Sequence, residues 1–221
     1  MITFDDGYSS VLGRAAPILA RFGFPGTVFV VTDFVGDSRP MSWPGIARWL
    51  GTPHEHELTS LGWDELEALA AAGWEVGSHT CSHPRLTQLS QMELEEELGA
   101  SRACLEERLG RPCRSVAYPE GDHDERVVRA AALAGYELAF TVPSVLRAQD
   151  RLRWPRIGIY RRETPISFSA KVSPSVRMLR RTVVWEWTEP AVRLVQATAT
   201  RASPREPRAP GGQDELAGKD G

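Results

Sequence analysis

Two short stretches of this chain concentrate the groups that could do chemistry. His79-Thr80-Cys81-Ser82-His83 sets two imidazoles four residues apart. If the segment takes up a helical turn, both rings fall on one side and can grip one divalent ion. The chain has five histidines, and two of them stand here, directly behind an apolar run that reads as a buried strand. The bland alternative for an isolated pair is two solvated loop histidines. Asp5-Asp6 is the second stretch, two adjacent carboxylates behind Ile2-Thr3-Phe4. Neighbouring side chains in a strand-end turn point in different directions, so one carboxylate can ligate a metal while the other faces a substrate. Alone, such a pair is equally a solvated turn or a helix N-cap. Taken together, two His and one Asp make a three-ligand site with open positions for water and substrate, as a catalytic zinc requires. The spare Asp is then a general base for the water.

Positioning these groups falls to an alternation of strand and helix patterns over residues 1–160. Ile2-Thr3-Phe4 reads as the end of a strand. Val11, Leu12, Ala15, Ile18, Leu19 and Phe22 recur at helical spacing, with Pro17 inside the run as a kink and Gly23 placed to cap it. Thr27 to Val31 reads as a buried strand, followed by a longer connection holding Trp43 and Trp49. A helix over 63–72, a strand over 74–78, a helix opened by a Ser90/Glu93 capping box and lined by Leu94, Leu98, Leu105 and Leu109, a strand over 116–118, a helix over 124–134 and a strand over 138–141 complete the pattern. Strands alternating with helices imply parallel pairing through right-handed crossovers. In such folds the residues just past the C-terminal ends of strands line the mouth where sites are built. Asp5-Asp6, His79 to His83, and Glu120 to Asp124 all occupy that position.

Composition sets the outer bounds. With 221 residues, 42% of them apolar, the chain is sized for one α/β domain with a proper core. A net charge of −3 argues against a nucleic-acid binder held by bulk positive charge. No apolar run reaches the length of a membrane span. Three cysteines, Cys81, Cys104 and Cys113, cannot all pair internally, which excludes a disulfide scaffold. The charge is uneven: Arg151 to Thr182 holds nine Lys/Arg against one acid, Glu163. This basic stretch and the Trp185/Trp187 segment behind it suggest either peripheral membrane contact through residues 171–187 or a C-terminal helix covering the domain. Residues 201–221 are Pro/Gly/Arg/Asp-rich and read as a disordered tail. As written, the chain opens without a charged-then-apolar leader, so the expected location is cytoplasmic or at the inner membrane face, and outside the cell if translation starts upstream.

Thr3-Phe4-Asp5-Asp6-Gly7 and Ser78-His79-Thr80-Cys81-Ser82-His83 resemble the first two motifs of the polysaccharide deacetylases, the NodB-homology domain of carbohydrate esterase family 4. The resemblance extends through Ala117-Tyr118-Pro119-Glu120-Gly121 and the Ala134 to Thr141 segment. It implies an α/β fold, a distorted (β/α) barrel, bounded here at residues 1–165; the helical extension over 166–200 and the tail are read from the charge and composition of the chain behind it. It also implies metal-dependent removal of N-acetyl groups from an amino-sugar glycan. Carried over position by position, Asp6, His79 and His83 would hold the metal (zinc first, with cobalt or nickel as substitutes). Asp5 would be the catalytic base. A backbone amide near Glu120 would help to hold the oxyanion.

The chain departs from the family pattern in three places, one of them the usual strand before Thr3-Phe4, which is cut to two residues here. Ala117 stands where an arginine usually supports the base, and no histidine follows His123 to supply the general acid. Arg156 and His123 are the expected substitutes, the first pairing with Asp5 and the second protonating the leaving amine; an exposed arginine and a solvated histidine are the bland readings. His54 and His56 read as solvated, and Cys81 as a bystander between the two His. Trp43, Trp49 and Trp63 would either stack on sugar rings or pack in the core. The competing function is a degenerate barrel that binds a glycan or a partner without turnover. A related hydrolase of other C–N bonds is a third reading.

Overall fold

Six short runs rich in β-branched and aromatic residues pair side by side, each separated from the next by helix or loop. The computed structural model describes residues 1–143, 146, 150–160 and 163–182. The strands are β1 (Thr3–Phe4), β2 (Thr27–Val30), β3 (Glu75–Ser78), β4 (Ser115–Ala117), β5 (Leu138–Thr141) and β6 (Trp154–Pro155). They lie in sequence order and every pair is parallel. That is the topology of a (β/α) barrel left open. The open edges curl towards each other, because Arg156, just past β6, hydrogen-bonds Thr3 on β1 at 2.9 Å.

The helices follow the expected positions with local changes. The first run is not one kinked helix: a π-helical turn over Val11–Ala15 passes into α1 (Ala16–Ala20), with Pro17 in its first turn. Proline has no N–H to give to the ladder, so it fits where the second helix starts and its donor is not needed. α2 (Trp63–Ala71) begins where Glu65 accepts from the Gly62 amide at 2.7 Å. α3 (Gln91–Leu109) carries the expected capping box, with Glu93 accepting from Ser90 N at 2.8 Å, and buries Leu94, Leu98 and Leu105. α4 (Glu125–Leu133) is capped by Asp124, whose carboxylate accepts from Val127 N at 2.8 Å.

Alternation along the strands sorts the core into two layers. Val28, Val30, Val76, Val116 and Ala139 face outward and pack under the helices with Leu66, Leu94, Leu98 and Leu105. Phe29, Ala117 and Phe140 face inward and form a small cluster of their own. Gly77 belongs to this inner layer: a Cβ there would stand 2.5 Å from the Phe29 ring, so only glycine lets that ring in. Below it, Glu75 accepts from Ser115 Oγ at 2.5 Å and Thr27 Oγ1 at 3.3 Å, giving the barrel floor a polar layer.

After β6 the described chain forms α5 (Pro165–Val172) and α6 (Pro174–Leu179), neither of which buries a residue. Ile166, Phe168, Met178 and Leu179 are exposed. These helices therefore do not supply the barrel cover that was one reading of the extension. None of the described helices is long and apolar enough to cross a membrane. The expected tail at 201–221, the part of the extension beyond 182 and the Trp185/Trp187 segment lie outside the described residues.

Candidate metal and catalytic site

Each candidate side chain stands just past a strand end. Asp5 and Asp6 follow β1, His79 follows β3 and leads into the loop to His83, Glu120 follows β4, and Arg156 follows β6. Among the described residues, four non-glycine positions have positive φ: Asp6 at 71°, Thr80 at 70°, His83 at 64° and Glu120 at 54°. All four lie in these loops. An L-residue held there costs about 1–3 kcal/mol, so the strain is concentrated in the loops that carry the candidate residues. Gly7 completes the first turn with φ 77°, and a Cβ on it would come within 2.8 Å of Val30.

Asp6, His79 and His83 converge. One oxygen or nitrogen of each lies within 4.8 Å of the others, the one such His/Cys/Asp/Glu group among the described residues. Nε2 of His79 stands 3.4 Å and Nε2 of His83 3.6 Å from Asp6 Oδ1. These separations are long for hydrogen bonds and suit three donors arranged around a shared centre. His79 Nδ1 lies 2.7 Å from the Ala117 carbonyl. That contact puts a proton on Nδ1 and turns Nε2 to the cluster; burial opposes a charge on the ring, but its contact with the Asp6 carboxylate and the Asp5 and Asp6 charges outweigh it and raise the imidazole above its ordinary value, so an ion bound there would displace the Nε2 proton. His83 stacks on Trp43, with ring centroids 4.4 Å apart and planes 19° from parallel. Burial, together with the neighbouring His79, pushes the His83 imidazole down to about 4, so it is neutral and able to ligate at neutral pH. The donor set, two buried imidazoles and a carboxylate, fits a zinc-type ion.

Asp5 points elsewhere. Arg156 grips it with two parallel bonds, Nη1 to Oδ1 at 2.7 Å and Nη2 to Oδ2 at 2.8 Å. The guanidinium lies 5.3 Å from the Phe29 ring centroid and 5.7 Å from that of Phe140. Arg156 thus runs through the barrel interior, between β1 and the Phe29 and Phe140 rings, instead of standing exposed. Burial raises the Asp5 carboxyl, but the charge of His79 and the bonds and charge of Arg156 outweigh it and hold the group below the usual carboxylate range. Asp5 is a partly exposed, ionised carboxylate with a fixed orientation.

The other candidates are placed less centrally. The Glu120 carboxylate turns to Arg85 at 3.0 Å, both side chains being largely exposed. His123 stacks on Tyr118 at 5.5 Å, and its Nδ1 meets the Gly121 carbonyl at 2.8 Å; neither contact joins it to Asp5, Asp6, His79 or His83. Cys81 is not poised as a ligand, since burial pushes its thiol up to about 11. His56 Nδ1 contacts the Pro53 carbonyl at 2.8 Å, away from any metal-type cluster. Trp63 and Trp49 each lie under an arginine, Arg108 and Arg48, at 5.3 Å.

Two contributors carry no motif. Trp43 had two readings, sugar platform or core; it is buried and serves as the wall behind His83. Tyr8 leans on Asp6: burial, the Asp6 charge and a hydrogen bond to that carboxylate all push its phenol up. No spacing rule marks either one, because both act through contacts between segments distant in sequence.

Comparison with known proteins agrees with this fold. The polysaccharide deacetylase family model matches residues 1–139. The poly-beta-1,6-N-acetyl-D-glucosamine N-deacetylase of Staphylococcus epidermidis is 24% identical over 167 residues, covering 71% of this chain and 53% of that protein. Its Staphylococcus aureus counterpart is 23% identical over 150 residues, covering 64% of this chain and 47% of that one. This chain therefore spans about half the length of the curated relatives it matches. Among solved structures, IcaB from Ammonifex degensii superposes with a TM-score of 0.60 at 26% identity, over 82% of this chain and 72% of that one. The Streptococcus pyogenes deacetylase PplD, in complex with acetate, shares the fold with a TM-score of 0.63 at 23% identity, over 78% of this chain and 69% of that one.

Proposed function

Since the chain belongs to the polysaccharide deacetylase family, we propose that residues 1–165 form a metal-dependent N-deacetylase acting on a glycan of N-acetylated amino sugars, with a β-1,6-linked N-acetylglucosamine polymer as the first substrate to try. The observation that carries this reading is the pairing of a complete Asp6–His79–His83 cluster with an adjacent, separately held carboxylate, Asp5. A binding module without turnover has no use for a buried arginine that keeps a carboxylate ionised and aimed. The Staphylococcus relatives, poly-beta-1,6-N-acetyl-D-glucosamine N-deacetylases, support the substrate class.

Asp6, His79 and His83 would hold the ion, most simply zinc. Bound there, a divalent cation polarises the amide carbonyl and acidifies water. Asp5 accepts the proton of the attacking water. Its two bonds to Arg156 keep it ionised beforehand and fix which lone pairs are free. In the loop after β4, bent at Glu120 and Gly121 to positive φ, the Gly121 and Asp122 amides already donate to the Tyr118 and Pro119 carbonyls at 2.8 and 2.9 Å, and the Glu120 amide is the one assigned to the oxygen on which charge develops. His123, on the same loop, is assigned the proton for the leaving amine.

Acetate release from N-acetylglucosamine oligomers by the zinc-loaded protein tests the proposal; absence of release with every N-acetylated glycan offered would overturn it. In the same assay Arg156→Ala should lower kcat by about 10- to 100-fold, the range for outer-shell partners, while zinc affinity is kept. Unchanged kinetics would remove Arg156 from the mechanism. His123→Ala should also lower kcat with zinc binding intact, and full activity would cancel its role as acid.

A further inference from the structure

The loop that carries His79 and His83 has few bonds of its own. It leaves β3, passes through two positive-φ residues, Thr80 and His83, and has no strand partner for the amides of Cys81 and Ser82. Both of those amides donate to one oxygen outside the loop, Oε2 of Glu97, at 2.8 and 3.0 Å. The Ser82 hydroxyl donates to the other oxygen, Oε1, at 2.5 Å. Glu97 projects from α3. Four residues on, on the same face of that helix, Ser101 Oγ accepts from Ser78 Oγ at 2.9 Å, and Ser78 Oγ in turn accepts from Thr80 N at 3.0 Å. From the other side, the amides of Thr32 and Asp33 donate to the carbonyls of Thr80 and Cys81 at 3.2 and 3.0 Å. The loop is thus pinned from outside, and the Glu97 carboxylate takes three of the donors. Neither the metal ligands nor the proton transfers above use Glu97.

We infer that Glu97 is a positioning residue: its carboxylate fixes the loop so that the Nε2 atoms of His79 and His83 meet Asp6. The inference rests on the metal-binding reading of that cluster. It makes a distinction that charge alone would not. Glutamine loses the charge but keeps an oxygen where Oε2 stands, able to accept from both amides, and its NH2 can donate to the Ser82 hydroxyl. Aspartate keeps the charge but withdraws its oxygens by one methylene.

The test is zinc affinity of the full chain, measured by competition with a chromogenic chelator, together with the absorption spectrum of the cobalt-substituted protein. Affinity should fall by about 10- to 100-fold in Glu97→Ala and Glu97→Asp and by less than about threefold in Glu97→Gln, since outer-shell groups act by placing ligands. The cobalt spectrum should shift in the first two variants and stay as in wild type in the third. Should Glu97→Ala fail to fold, the Asp and Gln variants carry the comparison. Wild-type affinity and spectrum in Glu97→Asp would overturn the inference and leave the metal reading intact. So would a Glu97→Gln variant as weak as Glu97→Asp, because charge would then be the cause. A wild-type chain that binds no zinc would overturn both.

Discussion

Asp5→Asn is expected to slow acetate release by about 1000-fold, within the range for loss of a general base, and to leave zinc binding in place. The substitution is nearly isosteric, so the turn after β1 and the Asp6 ligand beside it should hold. What changes is the chemistry at two atoms. The amide cannot take a proton from water at neutral pH. Its NH2 would also face a guanidinium nitrogen where a carboxylate oxygen now accepts at 2.7 or 2.8 Å, donor against donor. The check is kcat for acetate release beside a zinc titration of the same variant. Wild-type turnover would exclude Asp5 as the base. Loss of zinc instead of turnover would place Asp5 among the ligands.

His83→Ala has the second large effect. It should weaken zinc binding by about 100-fold or more, beyond what removal of an outer-shell partner does, and abolish turnover at ordinary zinc concentrations. The imidazole supplies one of three donors, and no neighbouring side chain is placed to replace it, since the Cys81 thiol is held protonated, pushed up to about 11 by burial. The ring is also one half of the stack with Trp43, so its removal opens a void beside a buried indole. Thermal denaturation of the apo variant separates the two consequences, because lost packing lowers the midpoint without metal and lost ligation does not. Turnover at the wild-type rate, with zinc retained through dialysis, would exclude His83 from the site.

The difference between what was legible in the chain and what was not follows the range of the interactions. Strand and helix positions were readable because they depend on local spacing: the Ser90/Glu93 box, the Leu94–Leu98–Leu105 face and the Gly23 stop each act within a few residues. The Asp6, His79 and His83 cluster was readable because its members follow strand ends in a pattern that resembles a known family, and the fold brings them within 4.8 Å of one another. Arg156 was open between two readings, because its value depends on β1 and β6 curling together, which no local pattern states. The π-helical turn before Pro17 was missed for a related reason: proline marks a break, but not how the backbone around it is re-paired. Trp43, Tyr8 and Glu97 were not singled out for the parts they take, as a wall, a hydrogen-bond donor and a loop anchor. Each touches the site from a segment that only the fold brings near. The extension was read by its charge, and the described part of it leaves Ile166, Phe168 and Met178 exposed.

The most direct test of the account is an equilibrium zinc titration of the metal-free wild-type chain, followed by competition with a chelator. It requires no knowledge of the glycan. The cluster of Asp6, His79 and His83 predicts one equivalent bound, with a dissociation constant at or below about micromolar, an association free energy of about −8 kcal/mol or stronger. Binding that is absent, weaker than about millimolar, or unaffected when His83 becomes alanine would contradict the account, and the non-catalytic barrel would then be the better description of this chain.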